Sequence, residues 1–445
     1  MKEILLEKKR EANRVNIQRR VAAGSHKKDT YFEDATLRSN KSWQDALQKS
    51  DPELPRVLYL HIPFSKRRCT FCPFFINRNS KNLLEQYVQA LIQEIKITSR
   101  LEAATAKPIE AIYIGGGTPS DLPSPDVEKI MDTVRANFAL APACEITMEA
   151  RTHGVDREIA QNWVNSGVNR ILMSVQTFDS KARRSLGRIA SQKKVISTLV
   201  DLTEIPRCSV NVELMYGLPK QNEEDVINDL KTLEVITDLH GLDLYHTKTF
   251  PNCPFPIATE KGAFARTADI KTKEEMYRVA AQWLGRTDYR QLSTCHWIRD
   301  QRERSLYKRL AEGPAEIIPF GSGAGGKLQT LDVFQVPRLE DYFRLISAGL
   351  KPLAVASTRN GDANLKDQLS YDLGEGYLSS ETEEKLLEVN PSIENVMQRW
   401  TEKGYFQLAL RSERKRKLSL RGRFRSSEMI DFISKKLAKT SEMVN

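Results

Sequence analysis

The sequence predicts an α/β protein. Six strands alternate with helices, as an open partial barrel or a doubly wound sheet, and a smaller winged-helix-like α+β module follows. Two observations carry this reading. Short apolar, β-prone runs alternate with segments of helical spacing over about 195 residues. Glycines and polar groups collect at the ends of those runs, where open parallel sheets and barrels place their chemistry.

VLYLHIP (57–63) is the first strand, and NLLEQYVQALIQEIKITSRL (82–101) has helical apolar spacing. IEAIYIGGG (109–117) is a strand that ends in glycines, and PDVEKIMDTVRANF (125–138) is a helix. EITMEA (145–150) and RILMSVQ (170–176) are strands on either side of a helix over 156–167 with a glycine stop. A helix over 193–204, a strand over 209–219, a helix over 223–237 and a strand over 241–250 complete the alternation. Six units are too few for a complete eight-stranded barrel. Residues 271–287 form an amphipathic helix, GSGAGG (321–326) is a glycine-rich turn, and 366–433 form a second, mostly helical unit around a basic ribbon (411–425). The domain reading is an N-terminal extension (1–52), the barrel (53–260), a post-barrel substrate region (261–360) and the C-terminal module (361–445).

Hydrophobic residues make up 40% and charged residues 28%, which excludes a globally disordered chain. No apolar run reaches membrane-spanning length, and the charged N-terminus lacks the apolar core of a signal peptide, so a cytoplasmic protein without membrane contact is expected. Lys plus Arg is 68 against 58 Asp plus Glu, a net +10. Spread over the whole chain, that excess suits anionic small molecules at least as well as nucleic acid. The basic ribbon lacks an aromatic stacking surface, so nucleic acid is not the expected partner.

Of the six cysteines, Cys144, Cys208, Cys253 and Cys295 stand alone, as buried apolar cysteines usually do. Cys69 and Cys72 form a C-x-x-C in YLHIPFSKRRCTFCPFF (59–75). By itself this fits zinc, redox chemistry or coincidence. No second Cys or His pair follows at zinc spacing, and Pro73 follows where a thioredoxin-like pair would open a helix.

HIPFSxxxCxFC, IGGGTPS, SVQTF with GRI, and ELMYGLP, in that order, resemble the radical S-adenosylmethionine (SAM) superfamily, in its coproporphyrinogen III oxidase-like branch. The resemblance implies a partial (β/α)6 barrel of radical SAM type over about 57–330. It also implies a [4Fe–4S] cluster held by a C-x-x-x-C-x-x-C loop, with SAM on the open iron. Cys69 and Cys72 stand at the second and third ligand positions, and Ser65 at the first. A hydroxyl is a hard ligand and resists deprotonation, so weak cluster binding or loss of one iron is expected. The serine is read as an introduced substitution, as the mark of a natural binder without radical chemistry, or as a position replaced by another cysteine such as Cys295.

The resemblance assigns the SAM site residue by residue. Tyr59 lies near the sulfonium, Phe71 at the adenine, and Gly115, Gly116, Gly117 and Thr118 at the amino group. Glu149 is the acid after the third strand, Gln176 and Glu213 hold the ribose, and Arg188 pairs with the carboxylate. His296, with Arg299, Arg302 and Arg304 beside it, is a candidate haem ligand with propionate partners.

Within the branch, CTFCPFF, the CHW segment and IIPFGSGAGG most resemble the anaerobic haem-degrading methyltransferases (anaerobilin synthases). For that group the resemblance implies two SAM molecules per turnover. One yields a 5′-deoxyadenosyl radical and the other a methyl group. Haem opens to a linear tetrapyrrole and iron is released for acquisition. A flavodoxin-like electron donor and a downstream tetrapyrrole-binding or reducing protein are the implied partners. The alternatives within the branch are a haem chaperone and an oxygen-independent coproporphyrinogen III dehydrogenase.

Overall fold

The computed structural model describes residues 29–66, 77–78, 80–248, 259, 265–359, 361–407 and 415–444. Its centre is a run of parallel strands: β1 (Arg56–Ile62), β4 (Ile109–Gly116), β5 (Leu140–Ala150), β6 (Arg170–Gln176), β7 (Ser209–Tyr216) and β8 (Gly241–His246). Between β1 and β4, β2 (Phe64–Ser65) and β3 (Asn77–Arg78) form a separate two-residue pair. The six strands are those expected from the sequence, and helices connect β4 through β8. Their outward faces bury aliphatic side chains such as Ile112, Met148, Ile171 and Val212 beneath the helices. The inward positions are polar: Tyr59, Tyr113, Glu149, Ser174 and Glu213.

The sheet continues beyond the expected strands. β9 (Arg290–Gln291) and β10 (His296–Ile298) extend it past β8. On the other side β11 (Glu316–Phe320) pairs parallel with β1, and β12 (Gly325–Leu328), β13 (Leu331–Gln335) and β14 (Leu353–Thr358) follow antiparallel. The glycine-rich turn is thus the start of a hairpin, and the sheet reaches 12 strands among the described residues.

The expected N-terminal extension over 1–52 requires a correction for its second half. Helix α1 (Asp29–Gln48) buries Trp43, Ala46 and Leu47 in the main core, and Asn40 bonds Lys351 through both its amide atoms. Lys351 in turn pairs with the buried Glu94 at 3.1 Å, tying the strand extension to the helix Lys81–Ser99.

The C-terminal module has its own core of Leu369, Leu373, Leu386, Trp400 and Ile433. Its ribbon is β15 (Tyr377–Ser379) with β16 (Lys415–Lys417), and the basic stretch expected as ribbon over 411–425 is helical from Leu420 onward. Arg421 and Arg425 pair with Glu274, and Arg416 with Glu383, so these cations are engaged within the protein.

Candidate active site

The C-terminal ends of β1 and β4–β7 form one rim. Gly115 and Gly116 close β4, and Gly117 and Thr118 follow. A Cβ on Gly117 would lie 2.4 Å from the Phe64 carbonyl oxygen, and one on Gly116, at φ +121°, would lie 2.8 Å from the His61 ring. Only glycine lets the turn press against β1 and β2 in this way. Glu149 accepts hydrogen bonds from Tyr113 Oη (2.6 Å) and the Gly116 amide (3.2 Å). Burial pushes its carboxyl up to about 7. Tyr59 and His61, two residues apart on β1, bond each other at 2.8 Å, and burial lowers the imidazole to about 4, keeping it neutral.

Further along the rim, Ser174 joins two expected site residues. Its hydroxyl donates to Glu213 at 3.0 Å, and its carbonyl accepts from Arg188 at 2.5 Å. Gln176, the last residue of β6, holds φ +73°, and its buried Oε1 has no hydrogen-bond partner among the described residues. A non-glycine residue in that region costs of order 1–3 kcal/mol, and an orphaned buried carbonyl adds to it. A buried acceptor left open at the end of β6 calls for a donor, which a ligand hydroxyl would provide. The glycine turn, Glu149, Gln176, Arg188 and Glu213 carry donors and acceptors along this rim of the kinds a ligand such as SAM would need.

Ser65, the expected first cluster-ligand position, does not fit in the same way. Ser65 is buried, and its hydroxyl meets Thr118 Oγ1 at 3.0 Å and the Arg151 guanidinium. A hydroxyl among these partners is a weak iron ligand. Cys69, Phe71 and Cys72 lie outside the described residues. Among the described residues, no group of three or more His, Cys, Asp or Glu is placed to hold a metal. Cys295 lies beyond β8, at the far edge of the parallel strands from β1, and burial raises its thiol well above the ordinary range.

The structure does not bring the expected haem residues to this rim. His296 is 1% exposed in β10, with Nδ1 2.9 Å from Asp243 and Nε2 3.2 Å from Glu303. Burial favours the neutral ring, but the two carboxylates outweigh it and raise the imidazole to about 9. A protonated, enclosed ring has no lone pair for iron, so the reading of His296 as a haem ligand is corrected to a structural cation. Glu303 also binds Arg170 and Ser209, the first residues of β6 and β7, which places the Glu303 side of this network at the opposite end of the strands. Arg304 donates to the Ala143 carbonyl and Arg302 pairs with Asp300 at the same end, while Arg299 caps the carbonyls of Ile236 and Thr237. Their reading as propionate partners is corrected likewise.

Sequence reasoning missed Tyr113, Ser174, Arg151 and Tyr307. Tyr113 was recoverable, because strand alternation puts it on the same face as Gly115. Tyr307, from the helix Leu306–Glu312, stacks on Tyr113 at 4.8 Å and gave no sequence signal. Beside these rings lies a cavity of about 900 Å³, bounded by Tyr59, His61, Tyr307 and Glu312 on one side and by β12–β14 on the other.

The Radical SAM superfamily profile matches residues 59–233. Anaerobilin synthase of Escherichia coli O157:H7 is 32% identical over 397 residues, spanning 88% of this chain and 87% of its own. The haem chaperone HemW of Escherichia coli (strain K12) is 30% identical over 286 residues, 62% of this chain and 70% of its own. The solved structure of Escherichia coli coproporphyrinogen III oxidase (HemN) superposes with a TM-score of 0.75 at 19% identity, covering 90% of this chain and 94% of that one. The chain belongs to the radical SAM superfamily, in its coproporphyrinogen III oxidase-like branch. That family implies a [4Fe–4S] cluster and SAM. No helix among the described residues is long and apolar enough to cross a membrane.

Proposed function

We propose that this chain is built for anaerobic haem degradation as a radical SAM C-methyltransferase. In this reading it opens the porphyrin to a linear tetrapyrrole (anaerobilin) and frees iron in the cytoplasm. The observation that carries the reading is the likeness to anaerobilin synthase over 88% of the chain. The cavity beside Tyr59 and His61 supports it, because its volume lies at the upper end of small-ligand sites.

Two SAM molecules supply the radical and the methyl group. The chain's own residues bind and orient. Gly115, Gly116, Gly117 and Thr118 take the amino group, and Arg188 the carboxylate. Gln176 and Glu213 take the ribose hydroxyls. Tyr59, Tyr113 and Tyr307 wall the reacting edge against water. A flavodoxin-like protein would deliver electrons, and a tetrapyrrole-binding or reducing protein would take the product. Ser65 impairs cluster ligation, so the reading is to be tested with Ser65→Cys.

Anaerobically reconstituted Ser65→Cys is given haem and SAM carrying an isotopically labelled methyl group. A tetrapyrrole product bearing the label is expected. Haem recovered unchanged, passing intact to an acceptor protein, would replace this reading with a chaperone. Decarboxylation of coproporphyrinogen III in its place would point to the dehydrogenase.

A further inference from the structure

The cavity beside Tyr59 has two chemically different ends. At the barrel end stand Tyr59, His61 and Tyr307, directly against the glycine turn that would receive SAM. The wall formed by β12 begins with Gly325 and Gly326, and a Cβ on Gly326 would lie 2.4 Å from the Ile317 carbonyl oxygen. Bare backbone there lines one wall, together with Val333 and Val355. Opposite it runs the helix Leu306–Glu312 with Tyr307 and Ala311. The space between these walls, about 900 Å³, has the volume for a large small-molecule ligand.

The far end carries three cations, Lys327, Arg359 and Lys366, among two carboxylates, Asp332 and Asp367. Lys327 Nζ and the Arg359 guanidinium converge on one carboxylate, Asp367, at 3.0 and 2.6 Å. Asp332, mostly exposed, stands 3.5 Å from the other guanidinium nitrogen, and Lys366 adds a third cation to the lining. Arg359 has only 5% of its side chain exposed, and its Nε has no hydrogen-bond partner among the described residues. An orphaned guanidinium donor in a buried setting calls for an acceptor. Planar guanidinium groups recognise carboxylates in particular.

We propose that this cavity is the tetrapyrrole site, and that Lys327 and Arg359 bind the carboxylates on the ring's edge. The opposite edge of the ring then lies at Tyr59, beside the SAM turn. This rests on the function proposed above and adds to it the placement and the preference for a free-acid ligand. It also gives the glycine-rich hairpin a role as a wall of the site.

The test needs no cluster. Haem and haem dimethyl ester are titrated into the full chain and followed by the porphyrin absorption bands. The unsubstituted protein is expected to bind the free acid about tenfold or more tighter than the ester, the factor for one charge-assisted contact. Arg359→Gln and Lys327→Gln should each weaken haem by a similar factor while leaving ester binding unchanged. Ala311→Trp, which fills the cavity without touching the cations, should weaken both ligands. Equal affinity for acid and ester in the unsubstituted protein, with haem binding indifferent to Ala311→Trp, overturns the placement and leaves the haem reading standing. Absence of saturable binding of either ligand overturns that reading and the site with it.

Discussion

Replacing His296 with glutamine should alter stability in a way that depends steeply on pH. The ring sits between Asp243 and Glu303, and its proton is held up to about pH 9 against an ordinary value of 6.5. A raised folded-state pKa stabilises fully below the unfolded value and is lost as pH climbs through the folded one. The difference of about 2.5 units, at 1.36 kcal/mol each, gives about 3 kcal/mol. Glutamine cannot carry that charge. Urea unfolding followed by tryptophan fluorescence should therefore show His296→Gln less stable by about 3 kcal/mol at pH 6.5. The gap should narrow by about 1.4 kcal/mol per pH unit and nearly close by pH 9.5. The unsubstituted protein loses the stabilisation over that window, while the variant never had it. A gap that stays constant from pH 6.5 to 9.5 would refute the charged-histidine account. So would a gap that widens with pH.

Three further outcomes follow from packing and hydrogen bonding. Trp43→Ala should cost about 3–5 kcal/mol in chemical unfolding, because Trp43 is fully buried in the main core; a cost under about 1 kcal/mol would mean that α1 is not part of that core. Arg183→Ala should destabilise by about 3 kcal/mol, since its buried guanidinium serves the carbonyls of Val175, Thr177 and Ala190, and unfolding midpoints would read the loss. Gly117→Ala should weaken SAM binding at least tenfold by calorimetry, because the added Cβ would lie 2.4 Å from the Phe64 carbonyl oxygen and force the turn off β2.

Much of the barrel was legible because each of its strands is an apolar run closed by glycine or a polar residue. β11 was not, because EIIPF leads straight into GSGAGG and reads as the approach to a turn. α1 offers only Trp43, Ala46 and Leu47 as a late apolar cluster, too short a pattern to register as a buried helix. On the rim, the glycines and Glu149 were legible because they close apolar strands, β4 and β5, of the parallel run. The misreading of His296 has a physical cause. Its controlling partner, Asp243, lies 53 residues away in sequence and meets it only through the β8–β10 pairing. Arginines near a histidine looked like propionate partners, whereas the chain uses this segment to close the barrel's other end. Ser174 was invisible for a similar reason, since its value lies in joining Glu213 to Arg188.

The proposed function makes this chain a haem-degrading radical SAM protein whose cluster loop is interrupted at Ser65. The most direct measurement compares the chain as it stands with Ser65→Cys. Both are reconstituted anaerobically with iron and sulfide, then mixed with haem, SAM and a strong reductant. Ser65→Cys is expected to bleach the haem bands and release 5′-deoxyadenosine, while the serine form binds haem and leaves it intact. Failure of Ser65→Cys to consume haem, with its cluster spectroscopically intact, would contradict the account and leave a haem carrier in its place.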